Sequence, residues 1–120
     1  MARLYRSLLF VPGNNPRFLE KAKTSQADIV CFDLEDSVPD SEKKNARKLI
    51  RDALKLRDSY SSSIYVRTNS PISGKIPDDL SELVQKGLDG IVIPKVNNAK
   101  ELGKIIKIIE SLEKKRKLKP

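Results

Sequence analysis

Four short apolar runs alternate with longer amphipathic stretches, and this alternation restricts the fold more than any other feature of the chain. The runs begin near residues 7, 29, 64 and 90, which gives spacings of 22, 35 and 26 residues. Strands that alternate with helices in this way predict a parallel sheet. The spacing is compatible with the roughly 30 residues per unit of an eight-unit barrel. The sequence therefore predicts an α/β fold made of four parallel βα units, the N-terminal half of a TIM (β/α)8 barrel.

The positions of the apolar residues also predict the individual elements. Strands are predicted at residues 7–11, 28–34, 64–67 and 90–94. Pro16 suits the first turn of helix one, and Asn97 or Asn98 suits the cap of helix four. The apolar stripe of helix two consists of Ala46, Leu49, Ile50, Ala53 and Leu54. Helix four, a basic helix at about 98–118, carries a stripe of Leu102, Ile105, Ile106, Ile109 and Leu112.

Half a barrel leaves its sheet incomplete. We predict a single partial-barrel domain over residues 1–120. An unclosed half would expose two apolar edge strands and the inward face of the sheet. The chain should therefore dimerise to close its core, fold as an open sheet, or form a piece of a longer protein.

The net charge of +8 raises the question of nucleic-acid binding, but the basic residues are unevenly distributed. Residues 111–120 hold five Lys or Arg and one Glu, so this segment carries a net charge of +4, half of the net positive charge of the chain. Basic residues at a helix C-terminus complement the helix dipole, and no aromatic-rich stacking motif accompanies them. Nucleic-acid binding is therefore the least favoured of our hypotheses. We also expect no membrane span and a cytoplasmic location, because the start of the chain lacks a signal-peptide cleavage site.

The chain has no histidine and one cysteine, Cys31. A Ser-His-Asp triad, a Cys-His pair and a histidine-based metal site are therefore excluded. Cys31 lies within an apolar run and has no second cysteine to pair with, which predicts a thiol in the core. Any metal would need oxygen ligands, and these favour magnesium-type ions.

Charged residues collect where the predicted strands end. The second apolar run leads directly into Asp33, Glu35 and Asp36, and the third ends in Arg67. Burying a charge is costly unless it is paired or bound to a metal, so this cluster should lie at a wet, polar rim. Parallel α/β sheets place their active sites where the carboxyl ends of their strands meet. Lys95, after the fourth strand, should reach the same rim.

Short motifs recur at the strand ends and helix starts along nearly the whole chain, from Arg6 to about Leu112. They are residues 6–14, 16–17, 20–22, 27–28, 33–38, 43–47, 66–69 and 89–96. In this order they resemble the citrate lyase beta-subunit family, which lies within the aldolase/citrate lyase superfamily together with malyl-CoA and citramalyl-CoA lyases.

The resemblance implies a (β/α)8 barrel that cleaves a 3-hydroxyacyl thioester of CoA or an acyl carrier in a magnesium-dependent retro-Claisen reaction. A 2-oxo acid such as oxaloacetate, glyoxylate or pyruvate leaves, and the acetyl thioester enolate is then protonated. The resemblance makes Arg67 the clamp for the oxo-acid carboxylate, which agrees with the bidentate fork of a guanidinium. Glu35 and Asp36 would hold waters on the magnesium and orient Arg67.

The resemblance also implies a site for the thioester carrier. Phe10 and Lys21 match positions that line it, and Lys21 would meet a CoA phosphate. The family often has a basic residue where this chain has Asn15, and Arg17 would substitute for it. The family's two direct magnesium ligands, a Glu ending the fifth strand and an Asp after the sixth, would fall beyond Pro120. The resemblance therefore places no direct metal ligand in this chain.

Several alternatives remain open from the sequence. Arg67 either clamps a carboxylate or forms only a structural ion pair with Glu35 or Asp36, and Lys21 either meets a phosphate or is an ordinary solvated lysine. Lys95 is either structural or substrate-facing. The function is either that of a magnesium-dependent carbon–carbon lyase, incomplete in this chain, or that of a non-catalytic half barrel. The half barrel would self-associate as a homo-oligomer and bind a thioester or an oxo acid.

Overall fold

A computed structural model describes residues 7–118, which form one parallel sheet with its strands in chain order. Arg6, where the motif series begins, lies outside the described residues, as do residues 1–5, 119 and 120. The strands are β1 (Leu8–Pro12), β2 (Ile29–Asp33), β3 (Ser63–Arg67) and β4 (Gly90–Val92). The helices are α1 (Pro16–Lys21), α2 (Lys43–Leu54), α3 (Ile76–Leu83) and α4 (Ala99–Lys115). The predicted succession of four βα units is confirmed.

Local sequence signals explain how two of the helices begin. Pro16 occupies the first turn of α1, and the Asn15 side chain caps that helix by accepting hydrogen bonds from the backbone N–H groups of Arg17 and Phe18. Asn98, rather than Asn97, caps α4 by accepting from the Glu101 N–H. Such caps satisfy N–H groups that have no partner inside the helix.

The fourth strand is shorter than predicted. The sequence predicts residues 90–94, but β4 ends at Val92. Pro94 has no N–H to donate to a strand ladder, and Lys95 adopts a left-handed backbone conformation with a φ of 56°. The chain therefore leaves the sheet two residues earlier than its apolar pattern suggests.

The main core lies between the sheet and its helices. Successive residues of a strand point to opposite faces, and Val30 and Phe32 of β2 join the cluster that α2 completes. The predicted stripe of α2 is confirmed, because Ala46, Ile50, Ala53 and Leu54 are buried and Leu49 packs against them. The alternate residues of β2, including Cys31 and Asp33, belong to the opposite face of the sheet.

The predicted stripe of α4 is wrong at two positions. Ile105 is buried, and Ile108, Ile109 and Leu112 pack with it in a second cluster that includes residues of α3 and β4. Leu102 and Ile106, in contrast, are 39% and 43% exposed. Helix α4 packs against α3, but Leu102 and Ile106 stay exposed, so its apolar stripe is wider than the surface that covers it.

The first edge of the sheet is also open. Leu8, Leu9 and Phe10 of β1 are each between 43% and 48% exposed, and Phe18 of α1 is 43% exposed. In the sheet order, β1 and β4 are the two edge strands. The exposed apolar residues therefore lie where an incomplete barrel would lack its neighbouring units. Among residues 7–118, no helix has both the length and the apolar character needed to cross a membrane.

Candidate functional site

Arg67 and Asp33 form a bidentate ion pair at the carboxyl ends of two adjacent strands. The parallel register places Asp33 of β2 directly beside Arg67 of β3. The Arg67 Nε donates to Asp33 Oδ1 and its Nη2 donates to Oδ2, both at 2.8 Å. Two parallel charge-assisted hydrogen bonds fix the plane of the guanidinium. The resemblance assigns the task of orienting Arg67 to Glu35 and Asp36. In the structure the guanidinium donates its hydrogen bonds to Asp33, and Glu35 adds an ion pair with Oε1 3.8 Å from the Arg67 Nε.

The turn after β2 holds the Asp33 carboxylate in place. Its oxygens also accept hydrogen bonds from the Glu35 N–H, the Ser37 N–H and the Ser37 hydroxyl, at 2.9, 3.1 and 2.6 Å. Burial by itself would raise the pKa of this carboxyl, but the hydrogen bonds from Arg67 and Ser37 outweigh it and hold the pKa well below its usual range. Asp33 is therefore ionised in the folded protein at neutral pH.

One edge of the Arg67 guanidinium remains available. Among residues 7–118, no hydrogen bond or ion pair involves Nη1, and the side chain is 22% exposed. The guanidinium carbon lies 4.7 Å from the centroid of the Phe10 ring, a cation–π distance. The hydrogen bond to Asp33 raises the pKa of Arg67 above its ordinary value. The arrangement presents a fixed, charged donor edge, which is the feature that binds a carboxylate.

Glu35 lies between two cations. It is 9% exposed, and its Oε1 lies 3.8 Å from the Arg67 Nε while its Oε2 lies 3.3 Å from the Lys95 Nζ. The contact with Lys95 is an ion pair without hydrogen-bond geometry, so Oε2 has no hydrogen-bond partner in the described part of the chain. The Lys43 ammonium, itself buried, donates to the carbonyl oxygens of Leu34 and Glu35 at 2.7 and 3.0 Å. Lys43 thus fixes the backbone from which Glu35 projects.

Asp36 occupies a different environment from its neighbours. It is exposed, and it acts on Arg67 only through charge, by helping to raise the pKa of the guanidinium. Neither a hydrogen bond nor an ion pair joins it to another residue of the described chain. Its predicted role in holding a metal-bound water stays a prediction.

Phe10 and Lys21 line one cavity, and their predicted contact with a thioester carrier stays a prediction. The cavity has a volume of about 410 Å³ and lies between β1 and α1, and its wall includes Leu9 and Phe18. Arg17 is exposed and is not part of that wall. Asn15 is committed to capping α1. Larger cavities, of about 740 and 750 Å³, lie beside α2 and α3 and contain none of the predicted site residues.

A buried polar network around Asp79 was not anticipated from the sequence. Asp79 of α3 is fully buried and accepts hydrogen bonds from the Arg47 Nε at 2.7 Å and from the Asn69 N–H at 2.8 Å. The Asn69 amide also donates to it. The network ties α2 and α3 to Asn69 in the loop that follows β3. The only sequence signal was an acidic residue in the first turn of a helix, which is ordinarily explained by the helix dipole.

The described residues do not supply a metal site by themselves. Residues 7–118 contain no group of three Cys, Asp or Glu side chains that could hold an ion. Both oxygens of Asp33 are engaged by Arg67, which leaves Glu35 Oε2 as the one buried carboxylate oxygen of this stretch without a hydrogen bond. One such oxygen is far from the six ligands that magnesium requires.

Comparison with known proteins identifies relatives along nearly the whole chain. The family model described as HpcH/HpaI aldolase/citrate lyase matches residues 6–119. Citrate lyase subunit beta of Leuconostoc mesenteroides subsp. cremoris is 39% identical over 112 residues, which are 93% of this chain and 37% of that protein. A (3S)-malyl-CoA thioesterase of Cereibacter sphaeroides (strain KD131) is 36% identical, over 92% of this chain and 39% of its own length. The predicted family resemblance is confirmed.

Two further relatives agree with this assignment. L-malyl-CoA/beta-methylmalyl-CoA lyase of Rhodobacter capsulatus is 36% identical over 93% of this chain and 36% of its own length. The crystal structure of RipC from Yersinia pestis superposes with a TM-score of 0.63 at 25% identity, covering 88% of this chain and 41% of that one. The chain thus spans less than half of the length of the relatives it matches.

Proposed function

Because the chain belongs to the HpcH/HpaI aldolase/citrate lyase family, we propose that it contributes the oxo-acid site of a carbon–carbon lyase. The substrate class is a 3-hydroxyacyl thioester of CoA or an acyl carrier, of the citryl, malyl or citramalyl type. The observation that carries the proposal is the arrangement of the Arg67 guanidinium. Its Nε and Nη2 donate to the two oxygens of Asp33, and its Nη1 makes no hydrogen bond among the described residues. A carboxylate ligand binds best to a donor edge that is already fixed.

In the proposed reaction the bond between C2 and C3 of the thioester breaks. The C3 hydroxyl loses its proton and becomes the keto group of a 2-oxo acid, and the electron pair of the broken bond passes to C2 as a thioester enolate. A proton then adds to C2 to give the acetyl thioester. Arg67 binds and orients the carboxylate on C3, and Asp33 keeps the guanidinium in place throughout.

The proposal assigns other parts of the substrate to the rim around Arg67. The thioester carrier occupies the cavity shared by Phe10 and Lys21, where the ammonium meets a phosphate of CoA. Magnesium belongs to the proposal through the family alone, since residues 7–118 provide no ligand set for it. We therefore assign no step to the metal within this chain, and we propose that its ligands, as well as the remaining strands, come from outside these residues.

The test is an assay that separates carbon–carbon cleavage from thioester hydrolysis. Malyl-CoA and citryl-CoA are incubated with the 120-residue chain, and with a chimera in which it replaces the matching segment of the Leuconostoc citrate lyase subunit beta. Lyase activity releases a 2-oxo acid, measured as its phenylhydrazone, whereas thioesterase activity releases free CoA thiol without an oxo acid. The second readout is needed because a (3S)-malyl-CoA thioesterase is among the relatives.

Arg67 variants of the chimera identify the role of the site. Arg67→Ala should abolish oxo-acid release, because the carboxylate loses the guanidinium that binds and orients it. Arg51→Ala is the matched control, since that arginine pairs with Glu82 on the helix side of the molecule. Turnover by Arg67→Ala at the rate of the unsubstituted chimera would refute the role assigned to Arg67.

A second candidate function is a non-catalytic half barrel that self-associates and binds a thioester or an oxo acid. The exposed apolar side chains of Leu8, Leu9 and Phe10 on the edge strand favour it. Light scattering of the isolated chain should then give the mass of a discrete dimer. A polydisperse sample would contradict it, as would metal-dependent thioester cleavage by the chain alone.

A further inference from the structure

Lys95 has a backbone conformation that its residue type rarely adopts. Its φ of 56° lies in the left-handed region, where residues other than glycine are uncommon because the Cβ atom crowds the backbone. Strained positions of this kind persist when the surroundings hold them, and they concentrate at ligand sites. Here Lys95 lies three residues after the end of β4 at Val92, and its side chain reaches the rim that contains Arg67.

The side chain of Lys95 reaches across the rim to Glu35. Its Nζ lies 3.3 Å from Oε2, while the Arg67 Nε lies 3.8 Å from Oε1 of the same carboxylate. The ends of β3 and β4 thus provide two cations, one beside each oxygen of a single buried anion from the end of β2. Lys43 fixes the backbone of Glu35, so the carboxylate is a stable anchor for both cations.

Both cations retain donors for a ligand. Arg67 has its free Nη1 edge, and the side chain of Lys95 is 65% exposed. The contact between Lys95 and Glu35 lacks hydrogen-bond geometry, so the ammonium is kept nearby by charge without its N–H groups being consumed. A lysine offers three rotatable donors on a point charge, which suits a carboxylate of less defined orientation than the one on Arg67.

We propose that Lys95 is a second carboxylate-binding residue of this site, which therefore prefers a 2-oxo acid with two carboxylates to one with a single carboxylate. The inference rests on the proposed function in one respect, namely that Arg67 binds the first carboxylate. Glu35 sets the spacing between the cations. The alternative is that Lys95 only neutralises the charge of Glu35. In that case the site would not discriminate between the two classes of acid.

Calorimetric titration of the isolated chain with oxaloacetate and with pyruvate tests the proposal. We expect the unsubstituted chain to bind oxaloacetate about tenfold more tightly, the range that a charge-assisted hydrogen bond supplies. Lys95→Met should weaken oxaloacetate binding about tenfold and change pyruvate binding less than twofold, and Lys95→Arg should restore most of the preference. Lys100→Met removes the same charge from an exposed position at the start of α4 and should leave both affinities unchanged.

The outcomes separate failure of this inference from failure of the proposed function. If Lys95→Met and Lys100→Met behave alike, or if Lys95→Met weakens both acids equally, Lys95 is not a second carboxylate site even though Arg67 can be. If Arg67→Ala retains pyruvate binding, the proposed oxo-acid site itself is wrong. Absence of binding of either acid to the unsubstituted chain would reject both. Melting temperatures of the variants, measured alongside, show whether a loss of affinity reflects loss of folding.

Discussion

Replacing Asp79 with alanine tests whether the buried network around Asp79 holds α2 and α3 to the loop after β3. Asp79 is completely buried, and its two oxygens accept from Arg47 and from both the backbone and the side chain of Asn69. Asp79→Ala would leave the Arg47 guanidinium, which is only 13% exposed, without its anion. Removing one partner of a buried pair costs about 3–5 kcal/mol, a large share of the 5–15 kcal/mol by which small domains are stable.

The double variant Arg47→Met with Asp79→Leu should be less damaging than the single one. It removes the stranded charge and fills the space with apolar side chains, a replacement that is often close to neutral. The donors of Asn69 would still lose their acceptor, at a cost of about 1–3 kcal/mol. We therefore expect the double variant to lie between the unsubstituted chain and Asp79→Ala in its free energy of unfolding.

Urea unfolding followed by circular dichroism measures these free energies. Glu82→Ala is the control, because Glu82 joins the same two helices through Arg51 at 3.0 Å but both side chains are substantially exposed, at 32% and 40%. Exposed pairs contribute about 0–1 kcal/mol. If Asp79→Ala proves no more destabilising than Glu82→Ala, the buried network is not what holds α2 and α3 to the loop. Asp79→Asn, which keeps one acceptor, provides the comparison if the alanine variant fails to fold.

Three further measurements follow from the geometry of the core and the site. The pKa of Asp33 is depressed, so its contribution to stability should be complete above about pH 4, the unfolded-state value, and should decline as the pH falls through the folded-state pKa. In urea titrations at pH 2–7, the free energy of unfolding of Asp33→Asn should therefore fall less steeply with decreasing pH than that of the unsubstituted chain. An equal slope would contradict the pairing. Burial raises the pKa of the Cys31 thiol to about 12, so a thiol reagent at pH 8 should react only in urea, and immediate reaction of the native chain would refute its burial. An alanine Cβ at Gly13 would lie 2.7 Å from both the Asp33 carbonyl oxygen and a methyl group of Ile50; Gly13→Ala should therefore lower the free energy of unfolding by about 1–3 kcal/mol, whereas Gly103→Ala, in open space on α4, should be neutral or stabilising by about 1 kcal/mol.

Periodicity and capping were readable from the sequence because they depend on residues close together in the chain. The stripe of α2 repeats with the helical period, and Asn98 satisfies an N–H group only three residues away. The charged ends of β2 and β3 were also foreseeable, since a buried strand that runs into Asp33 or Arg67 has to end at a polar rim. The sequence alone therefore predicted four βα units and a polar rim that contains Arg67.

Tertiary structure decided which of those charges meet. Arg67 donates its hydrogen bonds to Asp33 rather than to Glu35 or Asp36, because the register of β2 against β3 sets Asp33 and Arg67 side by side. Register depends on the packing of the whole sheet. Asp79 meets Asn69 because of where α3 packs relative to the loop after β3. The exposure of Leu102 and Ile106 likewise depends on which neighbours α4 has. Sequence determines what a segment can form, whereas the contacts between segments distant in the chain depend on how all of them pack at once.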